Sequence, residues 1–446
     1  MEITFILELS VLIILLAARR IALTNTATQM SIYMSLLITV FVLMKYDILV
    51  TNHRAPGRLS SEYRMPQEVL ALYNIVFSFF LFCAFISGNA VGSIKKAIQE
   101  FQDALSRNSR SLFLVSIALL LFAVGHGMSR NWDVTWSNHQ YMLMNSPFGD
   151  AGYLPLAKLA RSLFGLTALL SFALLGGAFA RKLYGPALVL LPVCLWCFVY
   201  SVSESTRTAG LCIAIGVAGW IAGGGSRWVA LPGGAMFFYT FVAVLAGRGQ
   251  GLFGVANFPS ILTSPFNPAY KSTTGGSQVG DAFLSIFQGA AVTGDGLVIS
   301  GEHQSTYKLL SLSPLPSFID HFNEILSTQQ IRLHQFVPMS AITELYKFGT
   351  PYWVSAMVFY ASAVYFVNSK LVRNTVGSMV SLPVNMIFTL YTVEAFSYPL
   401  RNCWRNVFDT TLLVAVGVLF VVWKKSWVRR QVDYPLGIPS GADQLK

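Results

Sequence analysis

PALVLLPVCLWCFVYSVSESTRTAGLCIAIGVAGWIAGG, residues 186–224, is two apolar runs joined by a short polar turn. Each run is about seventeen residues, and an α-helix rising about 1.5 Å per residue carries it across most of a hydrocarbon core about 30 Å thick. Two such runs joined by so short a turn read as a helical membrane hairpin, and the rest of the chain agrees. Of its 446 residues 54% are hydrophobic and 11% charged, with a mean hydropathy of +0.57. A soluble domain carries roughly 25% charged residues, so this is the composition of an integral membrane protein.

Apolar windows recur at about 3–18, 30–46, 69–91, 111–128, 156–179, 186–202, 208–224, 229–246, 350–368, 376–397 and 408–423. The chain reads as one all-α polytopic membrane domain over residues 1–446, with about eleven transmembrane helices. The first window lacks a basic leader, and Arg19 and Arg20 follow it, so it reads as a retained helix rather than a signal peptide.

Cationic residues gather in the cytoplasmic loops of membrane proteins. A cytoplasmic C-terminus places Arg19, Arg20, Lys95, Lys96, Arg107, Arg110, Arg181, Lys182, Arg227, Lys370, Arg373, Lys424, Lys425, Arg429, Arg430 and Lys446 on that side, and the N-terminus outside. The formal charge of +11 is then a signature of topology, and nucleic acid is not needed to explain it. Inner loops are short on this map. The longest outer segment, about 247–349, is too long for a structureless loop and should carry short helices. VGDAFLSIFQGAAV at 279–292 and SFIDHFNEIL at 317–326 have the spacing for them.

The five cysteines lie in or beside apolar windows, with Cys403 the one expected to be exposed, and no disulfide framework is indicated. Cys194 and Cys197 have redox spacing but read as buried structural thiols. Gly249-Gln-Gly-Leu-Phe-Gly254 matches a dinucleotide fingerprint by letter, yet it follows a membrane span rather than a strand, and reads as a loop. Neither a metal-ligand spacing nor a serine-hydrolase elbow occurs, so no metal and no cofactor is expected.

All six histidines and ten arginines fall on the outer side, where lysine is scarcer. Arginine's planar fork suits bidentate binding of phosphate or carboxylate. Arg207 lies in the outer turn between windows 186–202 and 208–224. Ser205 and Thr206 read as N-caps of the helix beginning near Thr208, whose amino end would then be an anion site. The alternative for Arg207 is snorkelling to headgroups and pairing with Glu204. A second polar cluster follows the long loop: Arg332 and His334 share a face if extended, Ser340 reads as the cap of a helix, and Glu344 lies one turn in. Arg161, inside an apolar window, is a functional candidate by its position. Glu394 is a plausible counter-charge.

Ser203-Glu-Ser-Thr-Arg-Thr208 before a glycine-rich span, one large late outer loop, LSLSPLPSFID at 310–320 and RLHQFVPMSAITELYKFG at 332–349 together resemble the Wzy-type O-antigen polymerases. The resemblance implies a GT-C-like, metal-independent glycosyltransferase of the bacterial inner membrane acting on undecaprenyl-pyrophosphate-linked oligosaccharides. A growing glycan would pass from its lipid carrier to a newly flipped repeat unit. It implies membrane lipids, a chain-length regulator and a flippase as partners, and no nucleic acid. The leaving pyrophosphate needs cations and the acceptor hydroxyl needs a base. Arg207 and Arg332 are assigned to the pyrophosphate, with Arg161 and Arg248 in support; His334 is the first choice of base and Glu344 the second. The alternatives are an O-antigen ligase and a polysaccharide or lipid-linked oligosaccharide flippase.

Overall fold

The computed structural model describes residues 2–18, 20–21, 25–45, 67–87, 94–107, 109–137, 160, 163–267, 289–299, 301–313, 325, 329–334, 337–369, 371–372, 375 and 378–433. Its helices are α1 (Glu2–Ala17), α2 (Thr26–Lys45), α3 (Gln67–Ser87), α4 (Ile94–Arg107), α5 (Ser109–Met128), α6 (Trp132–Ser137), α7 (Phe164–Ala180), α8 (Tyr184–Ser203), α9 (Thr208–Ala222) and α10 (Ala230–Gly249). After these come α11 (Phe258–Thr263), α12 (Gly289–Val298), α13 (Ser305–Leu312), a ladder of β1 (Arg332–His334) and β2 (Val337–Pro338), α14 (Ala341–Phe348), α15 (Thr350–Val367), α16 (Ser378–Glu394) and α17 (Leu400–Asp433).

Among the described residues, each apolar window read from the sequence overlaps a helix. Among the described residues, five helices are long and apolar enough to cross a membrane: Gln67–Ser87, Ser109–Met128, Tyr184–Ser203, Arg227–Gly249 and Leu400–Trp423. Helix is the economical answer for such segments, because it satisfies every backbone N–H and C=O within the chain where no water can.

Four features differ from the sequence reading. The inner segment 94–107 is itself a helix, α4, whose Phe101 and Leu105 are buried against Gly177 of α7. α17 begins at Leu400 instead of 408. Among the described residues, the helices are accompanied by the β1–β2 antiparallel pair, with Arg332 opposite Pro338 and His334 opposite Val337. Cys403 is buried like the other four cysteines, all of which are free. In the long loop, α12 takes up the end of the expected 279–292 helix, whose residues 279–288 lie outside the described residues. Nearly all of 317–326 lies outside the described residues.

The tightest crossing is α7 against α9, and glycine makes it possible. A Cβ on Gly219 would stand 2.1 Å from the Ala173 carbonyl oxygen, and one on Gly176 2.1 Å from the Gly216 oxygen. Small residues that let backbones approach are what helix pairs use where lipid removes the hydrophobic driving force. Gly219→Ala must push the helices apart and is expected to cost about 1–3 kcal/mol. A lowered thermal midpoint of the purified protein would register this; an unchanged midpoint would rule out so close a crossing.

Candidate functional site

The turn between α8 and α9 is built backbone first. Ser205 takes a left-handed conformation, φ 51°, the Ser205 N–H donates to Val202 O at 2.8 Å, and the Thr206 N–H to Ser201 O at 2.9 Å. This double closure is the Schellman ending of a helix. Ser205 and Thr206 therefore close α8 instead of capping α9, which corrects the sequence reading. Thr206 confirms this with its side chain, whose Oγ1 donates back to Ser201 O at 3.0 Å. Arg207 itself occupies the N-cap position of α9, with helical φ/ψ and no side-chain cap bond.

A non-glycine residue at φ > 0 costs about 1–2 kcal/mol, and neighbours hold Ser205 there. Arg248 at the end of α10 donates from Nη2 to the Ser205 carbonyl at 2.6 Å. Ser205 Oγ donates to Leu252 O at 3.3 Å, and the Gly254 N–H to Ser203 O at 3.0 Å. Arg248, expected to support Arg207, thus reaches from α10 to the carbonyl two residues before it. A cation on a helix's terminal carbonyls also complements its dipole.

The Arg207 guanidinium lies 5.8 Å from the centre of the Phe241 ring of α10. It acts electrostatically on Tyr33 of α2 and Glu394 of α16. Tyr33 packs on Phe396 at 5.7 Å. Residues of α2, α10 and α16 thus meet or feel this arginine; the sequence reads Glu394 as a counter-charge to Arg161, which lies outside the described residues.

Glu204 accepts a hydrogen bond from Tyr200 on its own helix. Arg130 lies over the Tyr200 ring at 4.5 Å, with its Nη2 2.9 Å from His126 Nε2.

The second cluster joins the first through the turn after Glu394. The Ala341 N–H donates to Tyr398 O at 2.8 Å and the Ile342 N–H to Ala395 O at 3.4 Å, so α14 docks on residues 395–398. Ser340 caps α14 as read, accepting from the Thr343 N–H. Glu344 is fully buried. Its Oε1 accepts from Tyr307 Oη and its Oε2 from the Leu400 N–H, each at 2.7 Å. Burial pushes its carboxyl up to about 7 against the pull of those two donors. Both oxygens are occupied inside the protein, so the geometry gives Glu344 the task of tying α13, α14 and α17 together.

Arg332 and His334 lie on β1, extended as read; their side chains, and all of Arg161, lie outside the described residues. The segment runs beside the loop preceding α13, since Ile331 lies against Gly301.

There the structure exposes a residue that sequence reasoning passed over. His303 is buried, stacked on Tyr307 with centroids 5.0 Å apart and met edge-on by Phe348 at 5.1 Å. Burial, with Lys347 and Lys308 nearby, lowers its imidazole to about 4. Nothing local in Glu302-His303-Gln304 announces this, because the stacking partners come from α13 and α14.

Among the described residues no three His, Cys, Asp or Glu side chains are grouped to hold a metal ion. Comparison with protein-family models, curated proteins and solved structures finds no match.

Proposed function

We propose that this chain is a lipid-linked oligosaccharide polymerase of the bacterial inner membrane, with a GT-C-like arrangement of about eleven spans. Its N-terminus is outside, its C-terminus cytoplasmic, and the end of the bundle carrying Arg207 faces outward. The observation that carries the reading is the strained turn at Ser205, which Arg248 of α10 holds by its carbonyl two residues before Arg207, with Arg207 in the field of Glu394 and Tyr33. Strained backbone concentrates at functional sites. Half-buried guanidinium groups at a membrane end suit a pyrophosphate.

In the reaction, the bond from the sugar C1 to the pyrophosphate oxygen breaks and its electron pair leaves with the pyrophosphate, which Arg207, Arg248, Arg332 and Arg161 neutralise. The acceptor hydroxyl oxygen bonds to C1 and its proton passes to His334. Glu344, the second choice of base in the sequence, acts here by holding α14, and so the end of the 332–349 segment, against the bundle. The substrates are undecaprenyl-pyrophosphate-linked oligosaccharides.

Deleting the gene in its native host tests this. A surface glycan confined to single repeat units is the expected product. Complete loss of surface glycan would point to a ligase, and unflipped repeat units held inside the cell to a flippase; either would sink the polymerase.

A further inference from the structure

The buried imidazole beside α13 lacks what a buried imidazole needs. His303 is 4% exposed; the Gln329 backbone lies within reach of its ring, but neither Nδ1 nor Nε2 makes a hydrogen bond of ordinary length and angle. A neutral imidazole has one donor and one acceptor to satisfy, and leaving both unmet in the interior is costly. Its ring is not loose, being fixed between Tyr307 and Phe348.

The charges acting on it are both positive. Lys308 of α13 reaches the Phe348 carbonyl at 3.5 Å and lies 5.8 Å from the Tyr352 ring. Lys347 of α14 donates to the Ile299 carbonyl. Lys308 follows Tyr307 and Lys347 precedes Phe348, the two residues whose rings enclose His303, and both ammonium groups act on the imidazole. The other titratable groups on the packed elements stand one step away. Tyr307 hydrogen-bonds Glu344 and feels Arg401 of α17, while Glu302 is exposed.

We propose that His303, Lys308 and Lys347 form a phosphate-binding site, in which a bound phosphate or pyrophosphate group is held by the two ammonium groups and draws a proton onto His303. In the empty site two cations and burial oppose imidazolium. A multiply charged anion reverses the sign of the local field and turns the ring into a donor of a charge-assisted hydrogen bond. The site is distinct from the Arg207 turn and does not depend on the polymerase reading.

The test uses the full chain in phosphatidylcholine nanodiscs, titrated calorimetrically with inorganic pyrophosphate in two buffers of different ionisation enthalpy, so that proton uptake is read directly. His303→Gln is expected to remove close to one proton of uptake per bound anion. Lys308→Gln combined with Lys347→Gln is expected to weaken binding about tenfold or more. Lys308 is only half-buried, so its single variant keeps the test valid if the His303 variant does not fold. Arg207→Ala, run in parallel, retains the His303-dependent uptake.

Unchanged affinity in the lysine variants, or proton uptake that survives His303→Gln, overturns the site. Repeating the titration in phosphatidylglycerol nanodiscs identifies the source of the phosphate. Lost pyrophosphate affinity there makes a lipid headgroup the occupant, and retained affinity assigns the site to a soluble or glycan-linked phosphate. None of these readouts requires polymer to form.

Discussion

Arg207→Ala is expected to lower polymer formation by about 10²–10³-fold, the usual loss when one preorganised donor to a developing anion is removed, at near-normal protein abundance. The turn has backbone bonds of its own. The backbone of Ser205 and Thr206 closes α8 through them, and Arg248 bonds the Ser205 carbonyl. What Arg207 contributes is a positive charge at the amino end of α9, in the field of Glu394 and above Phe241. If that charge meets a leaving pyrophosphate, Arg207→Lys keeps the charge but loses the two-pronged fork, and should fall between wild type and alanine. If Arg207 only anchors the helix end at the membrane surface, lysine should serve equally well and alanine should lower the thermal midpoint instead. Glycan length on a gel, set against protein abundance, separates the two. A full-length ladder from an abundant alanine variant would leave the polymerase reading without its main residue.

How much was legible depended on how far apart in the chain the deciding partners lie. The apolar windows were readable because each span must satisfy its backbone alone, a demand written in a continuous run of residues. The Ser340 cap and the extended Arg332–His334 pair were readable for the same local reason. The Ser201–Thr208 turn was located correctly and misassigned in detail. Serine and threonine serve equally well to start the next helix or end the last one, and only the left-handed φ of Ser205 decides.

Cys403, the one cysteine expected to be exposed, has Arg401 and Trp404 as near neighbours in the chain. The structure buries it because those neighbours bond Leu310 and Leu312 and so draw α13 over the start of α17. His303 and Tyr307 could not be singled out at all, since their roles arise from Phe348 and Glu344, about forty residues on. The amphipathic spacing of α4 was present in IKKAIQEFQDALSR and was obscured by its charge, which fits an inner loop equally well.

Glu344→Ala is expected to destabilise the protein by roughly 2–6 kcal/mol, because it strands two buried donors, the Tyr307 hydroxyl and the Leu400 N–H, at about 1–3 kcal/mol each. Glu344→Gln keeps one acceptor oxygen and should cost less, about 1 kcal/mol. The two variants also differ from wild type in their response to pH, and the sign is fixed. Folding raises the Glu344 carboxyl from its ordinary 4.5 to about 7. Its contribution is therefore complete below pH 4.5 and is lost as pH rises to 7, in total roughly 3 kcal/mol. Folding lowers His303 from its ordinary 6.5 to about 4, so its contribution is present above 6.5 and is lost as pH falls to 4.

Asp295 of α12, pushed by burial from its ordinary 3.8 to about 6, adds a fall of its own as pH rises through this range, so Glu344 is isolated by the difference between the two proteins. The stability of wild type relative to Glu344→Gln should fall by roughly 3 kcal/mol as pH rises from 4.5 to 7. Thermal midpoints of the purified proteins across this range decide the matter. Parallel profiles for wild type and Glu344→Gln would mean that Glu344 does not change its ionisation on folding, and that the tie between α13, α14 and α17 is not made by a buried carboxyl.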